Sequence, residues 1–165
     1  MFVRNWMSAP AVVLGPQVTA SAAVAFMEKR RIRRVPVVED GKLLGMVTKS
    51  DLLGAGSKPH VSGVTRIVHV MTPKPITIPE EATLESAAQL MLSNKISGLP
   101  VMDGDKVVGV LTESDLFGAP CGMLGTGEKG ARVQMTVRDD ADLLQNIRGR
   151  LKGLAVRSLV TVHDP

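Results

Sequence analysis

The chain repeats itself at a spacing of 64 positions, and this repeat limits the possible folds more than any other feature. Without a gap, residues 7–53 align with residues 71–117. The stretch GMVTKSDLL, which begins at Gly45, matches GVLTESDLF, which begins at Gly109. Chance does not align so many positions in one register. A chain of 165 residues therefore holds a duplicated small unit with an additional segment, and is too short for a large multidomain enzyme.

Each copy predicts the order β-α-β-β-α, which is a mixed α/β (α+β) fold. In the second copy, KPITIP (74–79) is extended and EATLESAAQLMLSNKI (81–96) has helical periodicity. GLPVM and KVVGVLT follow as strands joined by DGD, and the first copy has EDG at the equivalent place. We expect repeat 1 at 1–60, repeat 2 at 61–118, a Gly-rich linker at 119–130 and a β-α-β segment at 131–165.

The helices predicted at 20–31 and 84–95 carry more apolar surface than one sheet face covers. In the second, Leu90 and Leu92 lie outside the main apolar stripe. Two explanations stay open at this point: a few partly exposed leucines, or a contact between subunits.

Composition narrows the class of protein. The net charge is +4, partly from the run EKRRIRR (28–34), which leaves an anionic partner open. Three Phe, one Trp and no Tyr provide few stacking surfaces, which disfavours nucleic-acid binding. Cys121 is the only cysteine, so neither an internal disulfide nor a thiolate metal site is expected. No apolar run reaches the ~20 residues of a membrane span, and no signal peptide is evident, which predicts a cytoplasmic protein without a membrane partner.

The sequence gives little support for a catalytic function. His60, His69 and His163 show no spacing that would tie them to a nucleophile or a metal. We therefore expect no catalytic residues, no metal and no catalytic cofactor.

The duplicated Thr-x-x-Asp elements, Thr48 to Asp51 and Thr112 to Asp115, have two interpretations. Each follows an apolar strand and opens a short helix, which is the pattern of a capping box. Alternatively, the free N–H groups of a helix start favour a phosphate, and the Asp accepts hydrogen bonds from ribose hydroxyls. Gly45 and Gly109 either let a ligand approach the backbone or mark a bulge or a tight packing position.

The two units, each with VPV or LPV before a hairpin and each ending in Thr-x-Ser-Asp-Leu, resemble tandem CBS domains, the Bateman module, over residues 1–118. The resemblance implies two repeats related by a pseudo-twofold axis. It also implies a regulatory protein that binds AMP, ADP, ATP or S-adenosylmethionine in clefts between the repeats. Pairs of this family commonly associate through their helices, so the resemblance further implies a homodimer and a regulated protein partner.

In this family each cleft combines the Thr-x-x-Asp of one repeat with the first strand and pre-proline segment of the other. The resemblance thus implies a "Thr48 cleft" formed by Thr48, Ser50, Asp51, Ile76, Thr77, Ser97, Gly98, Leu99 and Pro100. It implies a "Thr112 cleft" formed by Thr112, Ser114, Asp115, Val12, Val13, Arg33, Arg34, Val35 and Pro36. The aspartates would hold ribose hydroxyls, the threonines phosphate, and the backbone near Ile76 or Val12 the adenine.

The clefts differ where ISGLP in one copy stands against IRRVP in the other. Because guanidinium groups form paired bonds with phosphate, Arg33 and Arg34 predict a preference for phosphate charge in the Thr112 cleft. The alternative is that both arginines only end a solvated basic helix.

The C-terminal segment is similar to the opening half of an ACT-like domain, as found behind CBS pairs in acetoin-utilisation accessory proteins. Two other functions stay open beside nucleotide sensing. One is a ligand-free dimerisation scaffold, in which the Thr-x-x-Asp elements serve only as caps. The other is a nucleic-acid-binding module that uses the basic run.

Overall fold

The computed structural model describes residues 1–54 and 61–123, together with residues 147, 149 and 153. The chain divides into two compact units, Met1–Phe117 and Gly118–Pro165. The predicted ACT-like segment lies outside the described residues, apart from those three positions, and stays a prediction.

The first repeat contains a helix, a β-hairpin and a short second helix. These elements are α1 (Ala20–Arg30), β1 (Arg34–Glu39), β2 (Lys42–Thr48) and α2 (Lys49–Leu53). Helix α1 begins after Thr19, whose Oγ1 accepts a hydrogen bond from the Ala22 N–H at 3.4 Å. The hairpin turns at Asp40 and Gly41, whose φ angles are 49° and 78°. The hairpin predicted at EDG is therefore confirmed, and both positive φ values suit an Asp-Gly turn.

The second repeat has the same order after two short strands. Its elements are β3 (Thr72–Pro73), β4 (Ile78–Pro79), α3 (Leu84–Asn94), β5 (Gly98–Asp103), β6 (Lys106–Thr112) and α4 (Glu113–Met123). The segment predicted as one extended stretch at 74–79 forms a strand only at its end, in β4. Lys74 has a φ of 45°, which breaks the extended backbone, and Pro75 lacks the N–H that a ladder needs.

Helix α4 corrects the predicted start of the Gly-rich linker at 119. The helix continues through Gly118 and Pro120 to Met123. Pro120 removes one backbone hydrogen bond from this helix, and Ala119 is buried, which favours a packed helix over an open linker.

The two repeats exchange their leading segments, which lie around Ser8 in the first repeat and at Thr72–Pro73 in the second. The described strands form two three-stranded sheets, ordered β1-β2-β3 and β4-β5-β6. Strand β3 begins the second repeat, yet it pairs with β2 of the first, Met46 opposite Thr72. At the equivalent place near the N-terminus, Ser8 pairs with Val110 of β6 in the second repeat. Each repeat therefore completes its sheet with a segment of the other.

Within each repeat, the segment before the helix pairs in parallel with the strand after it. Ile78 of β4 lies opposite Val101 of β5, and Leu14 forms the equivalent bridge with Val37 of β1. The predicted β-α-β-β-α order and the mixed α+β fold are confirmed.

The helices bury equivalent faces against the sheets. Helix α1 buries Ala20, Ala23 and Met27, and α3 buries Leu84, Ala87 and Met91. These are the same positions in the two copies, and Met27 and Met91 fill equivalent places in the core. Leu92 of α3 is 79% exposed, so apolar surface does remain outside the sheet contact.

Candidate ligand-binding cleft

A cleft of about 300 Å³ lies between the two repeats. Five of the residues predicted for the Thr112 cleft line it, and they come from both repeats: Val12, Arg33, Arg34, Thr112 and Ser114. The prediction that the helix start of one repeat faces the pre-proline segment of the other therefore agrees with the geometry of this cleft.

The remaining residues predicted for the Thr112 cleft do not line it. Val35 and Pro36 are fully buried in β1, so only their backbone could contact a ligand. Val13 is 40% exposed, and it too lies outside the cleft lining. Asp115 is half-buried behind the lining residue Thr112.

Both Thr-x-x-Asp elements form caps. Asp115 Oδ2 accepts hydrogen bonds from the Thr112 N–H and Oγ1, each at 2.7 Å. Asp51 Oδ2 accepts from the Thr48 N–H at 2.9 Å and from Oγ1 at 2.7 Å, and Thr48 Oγ1 accepts from the Asp51 N–H, which completes a capping box. The cap interpretation is confirmed.

The cap geometry restricts the predicted phosphate role of the threonines. A hydroxyl has one proton to donate, and each threonine donates it to its aspartate. A phosphate could receive that proton only if the cap bond were broken. The phosphate role of Thr48 and Thr112 stays a prediction. The arginines are better placed to bind anions, because the Thr112 N–H already donates to Asp115 Oδ2 and the Glu113 N–H to the Ser97 carbonyl at 3.3 Å.

The residues predicted for the Thr48 cleft differ in how exposed they are to solvent. Leu99 and Pro100 are fully buried in β5, whereas Ser50, Ile76 and Thr77 are exposed. Ser97 and Gly98 are half-buried and are covered by an arginine from the other repeat.

That arginine is Arg34, which joins the two repeats. Its Nη2 donates a hydrogen bond to Ser97 Oγ at 2.7 Å. A Cβ at Gly98 would overlap the guanidinium, so the contact requires glycine there. Burial, together with the charge of Arg33, lowers the pKa of Arg34 below its ordinary value, while Glu113 acts in the opposite direction. Arg34 is therefore a half-buried cation on the cleft wall.

Sequence reasoning missed part of the cleft lining. The further lining residues are Ser8, Pro10, Arg31, Ile32, Glu113 and Val110, together with Ser97, which was predicted for the Thr48 cleft and lies on this one. Glu113 lies between two predicted residues, and its position inside Thr-x-x-Asp could have indicated it. Ser8 and Pro10 reach the cleft because the leading segments are exchanged between repeats, and no local sequence pattern indicates that exchange.

Two kinds of feature are absent from the described part of the chain. No group of three or more His, Cys, Asp or Glu in these ranges could hold a metal ion. Among the same residues, no helix is long and apolar enough to cross a membrane.

Comparison with known proteins agrees with this architecture. The model of the CBS domain family matches residues 3–58 and 66–122, which together exceed half of the chain. The chain belongs to the CBS domain family. The CBS domain-containing protein YhcV of Bacillus subtilis is 30% identical to this CBS pair over 114 residues, 69% of the pair's chain and 81% of YhcV.

Solved structures of CBS proteins superpose on the pair. The CBS domain pair of protein MJ0100, in complex with 5-methylthioadenosine and S-adenosyl-L-methionine, matches with a TM-score of 0.67 and 28% identity, covering 74% of this chain and 97% of that one. A putative acetoin utilization protein (AcuB) from Vibrio cholerae matches with a TM-score of 0.67 and 31% identity, covering 80% and 98%. CBSX2 in complex with AMP matches with a TM-score of 0.66 and 25% identity, covering 73% and 97%.

Proposed function

We propose that this CBS pair is a regulatory protein that senses an adenosyl ligand, AMP, ADP, ATP or S-adenosylmethionine, in the Thr112 cleft. The observation that carries the proposal is an open cleft whose walls come from both repeats, with Val12 and Arg33 on one side and Thr112 and Ser114 on the other. Similar pairs bind AMP or S-adenosylmethionine with methylthioadenosine, which supports the adenosyl class.

The lining of the cleft suits the parts of such a ligand. Val12, Ile32 and Val110 offer apolar surface for an adenine ring. Asp115 does not itself line the cleft, but it is hydrogen-bonded to the lining residue Thr112, and its carboxylate could accept hydrogen bonds from ribose hydroxyls. The arginines of the 31–34 segment supply positive charge for a phosphate.

Regulation would follow from the position of the cleft. Because a ligand there contacts both repeats, it binds one relative arrangement of the repeats better than others and shifts the population toward it. A partner protein that contacts both repeats would detect the change. This mechanism uses binding alone and involves no chemical step by the pair itself.

The first prediction tests Asp115 as a ligand residue. Asp115→Asn should lower the melting temperature without ligand, because the cap is weakened, and should also remove most of the stabilisation by AMP. A lost charge-assisted bond to ribose is worth about 1.5–3 kcal/mol, so calorimetric titration should show AMP binding weakened about tenfold or more. Melting curves with and without AMP supply the second measurement.

Thr83→Ala is the matched control for this experiment. Thr83 caps α3, where its Oγ1 accepts from the Ser86 N–H at 3.2 Å, and it does not line the cleft. This variant should also melt lower but keep the full AMP shift. If Asp115→Asn behaves like Thr83→Ala, Asp115 is only a cap and the ribose role is wrong.

A ligand-free dimerisation scaffold is the second candidate function. The observation in its favour is that both aspartates already accept two hydrogen bonds from their own caps. If neither AMP, ATP nor S-adenosylmethionine changes the melting temperature of the full chain, this candidate replaces the first.

A further inference from the structure

The Thr112 cleft concentrates positive charge on one wall. Arg31, Arg33 and Arg34 all line it, and Glu113 is the acidic residue among its lining residues. In the described part of the chain, the ion pairs join the Met1 amine to Glu85 and Lys49 to Glu28, so neither involves a cleft arginine. The wall therefore carries more cationic than anionic groups.

The three arginines are held differently. Arg34 is fixed on Ser97 and half-buried, and burial and the charge of Arg33 lower its pKa. Arg31 and Arg33 are exposed and face solvent at the cleft. Exposed guanidinium groups beside a fixed, half-buried one form an incomplete site that an anion would complete.

The backbone at Arg31 places this residue on the wall at an energetic cost. Arg31 ends α1 in the left-handed region with a φ of 55°, a conformation that glycine adopts at lower cost. Lys95 ends α3 in the same way, with a φ of 53°. The fold thus needs a left-handed residue at both helix ends, and at one of them an arginine lies on the cleft.

The equivalent positions of the other repeat carry one positive charge instead of three. At the spacing of 64, Lys95, Ser97 and Gly98 stand where the first repeat has Arg31, Arg33 and Arg34. The counterpart of Glu113 is Lys49, whose Nζ forms an exposed ion pair with Glu28 Oε1 at 2.9 Å. The arginine cluster is therefore a property of one cleft.

We propose that the Thr112 cleft selects a nucleoside polyphosphate over S-adenosylmethionine, with Arg31 and Arg33 against the phosphates and Arg34 as the fixed cation of the wall. The inference rests on the proposed function. A phosphate chain is strongly anionic, whereas S-adenosylmethionine carries a sulfonium and an ammonium against one carboxylate, so the same arginines attract the first and disfavour the second.

Calorimetric titration of the full chain with ATP, AMP, adenosine and S-adenosylmethionine tests this selection. Wild type should bind ATP about tenfold or more tightly than adenosine or S-adenosylmethionine, with AMP between. The double variant Arg31→Ala/Arg33→Ala should weaken ATP binding about tenfold, which is about 1.4 kcal/mol, and adenosine binding less than about twofold.

Arg30→Ala is the matched control, because Arg30 is adjacent in sequence but stacks on Phe26 at 5.1 Å and does not line the cleft. It should leave all four affinities unchanged. Glu113→Gln provides a gain that misfolding cannot imitate: removal of a negative charge facing the phosphates should tighten ATP binding about threefold and leave adenosine unaffected.

The outcomes separate the two proposals. Charge selection is wrong if adenosine and ATP bind with equal affinity and lose the same affinity in the double variant. It is also wrong if S-adenosylmethionine binds as tightly as ATP. In either case the proposal of adenosyl binding stands. If none of the four compounds binds wild type, the proposed function itself fails, and this inference fails with it.

Discussion

Gly45 and Gly109 show how one residue type fixes the exchange between repeats. A Cβ at position 45 would lie 2.5 Å from Met71 Sδ and 2.8 Å from the Thr72 carbonyl oxygen. A Cβ at position 109 would lie 2.5 Å from Met7 Sδ and 3.0 Å from the Ser8 carbonyl oxygen. The sequence left a ligand contact and a packing role open for these glycines, and the structure supports packing, because the leading segment of the other repeat passes directly over each.

At this scale we expect Gly45→Ala to lower the free energy of unfolding by about 1–3 kcal/mol, since the methyl group must displace the exchanged backbone at Thr72. Urea unfolding followed by circular dichroism measures the change. Gly15→Ala is the control, because nothing lies within 4 Å of its Cβ position. Equal stability of the two variants would show that the exchanged segment moves at little energetic cost to accommodate the methyl group.

At the scale of elements, both main helices end in a basic residue instead of the glycine that helix ends favour. The Lys95 N–H donates to the carbonyls of Leu92 and Met91, and Arg31 has the equivalent bonds to Glu28 and Met27. These bonds close the helix ends, and the left-handed backbone is the cost of that closure. The sequence could not predict the last residue of either helix, because neither helix is followed by the glycine that usually marks a helix end.

We predict that Lys95→Gly raises the free energy of unfolding by about 1 kcal/mol, because glycine adopts the left-handed region without the Cβ penalty. Lys29→Gly, one residue before the last residue of α1, should instead lower it by about 1 kcal/mol, because glycine disfavours helical backbone. Thermal and urea unfolding of both variants against wild type measure the two opposite shifts. A loss of stability in Lys95→Gly would contradict the strain assigned to this position.

The other elements show which local sequence signals were enough to predict a helix or strand. Repeat periodicity predicted α1, α3 and the two hairpins, because buried positions recur at helical and strand spacing and Asp-Gly fits positive φ. The same signals missed β3 and the extension of α4. Strand β3 is two residues long and is stabilised by the other repeat, and α4 runs through Gly118 and Pro120, which usually end helices.

At the scale of the whole molecule, the repeats form one unit through contacts distant in sequence. The Val3 N–H donates to the Ala82 carbonyl at 2.8 Å, and the Leu84 N–H donates to the Met1 carbonyl at 2.8 Å, so the N-terminus closes on the start of α3. Together with the exchanged segments, these bonds make each repeat depend on the other for a complete sheet.

At this scale we predict a homodimer through the outer helix faces, since Leu92 is 79% exposed on α3. Leu92→Lys should weaken dimerisation about tenfold or more, because it places a charge in an apolar contact. Val64→Lys is the control, since Val64 is 80% exposed but lies outside the helices. Light scattering across micromolar concentrations measures the mass, and a wild-type mass of one 17.6 kDa chain would contradict the dimer.

The sequence by itself determined the duplication, the order of the elements, the hairpin turns, the caps and the resemblance to CBS pairs. These depend on residues close together in the chain and on a register that recurs at a fixed spacing. Only the tertiary structure decided that leading segments are exchanged, that Arg34 reaches Ser97 across 63 positions, and that Arg31 and Glu113 line the same cleft. Those contacts arise where two sheets pack against each other, and the path of a side chain there depends on the space its neighbours leave, which no local pattern encodes.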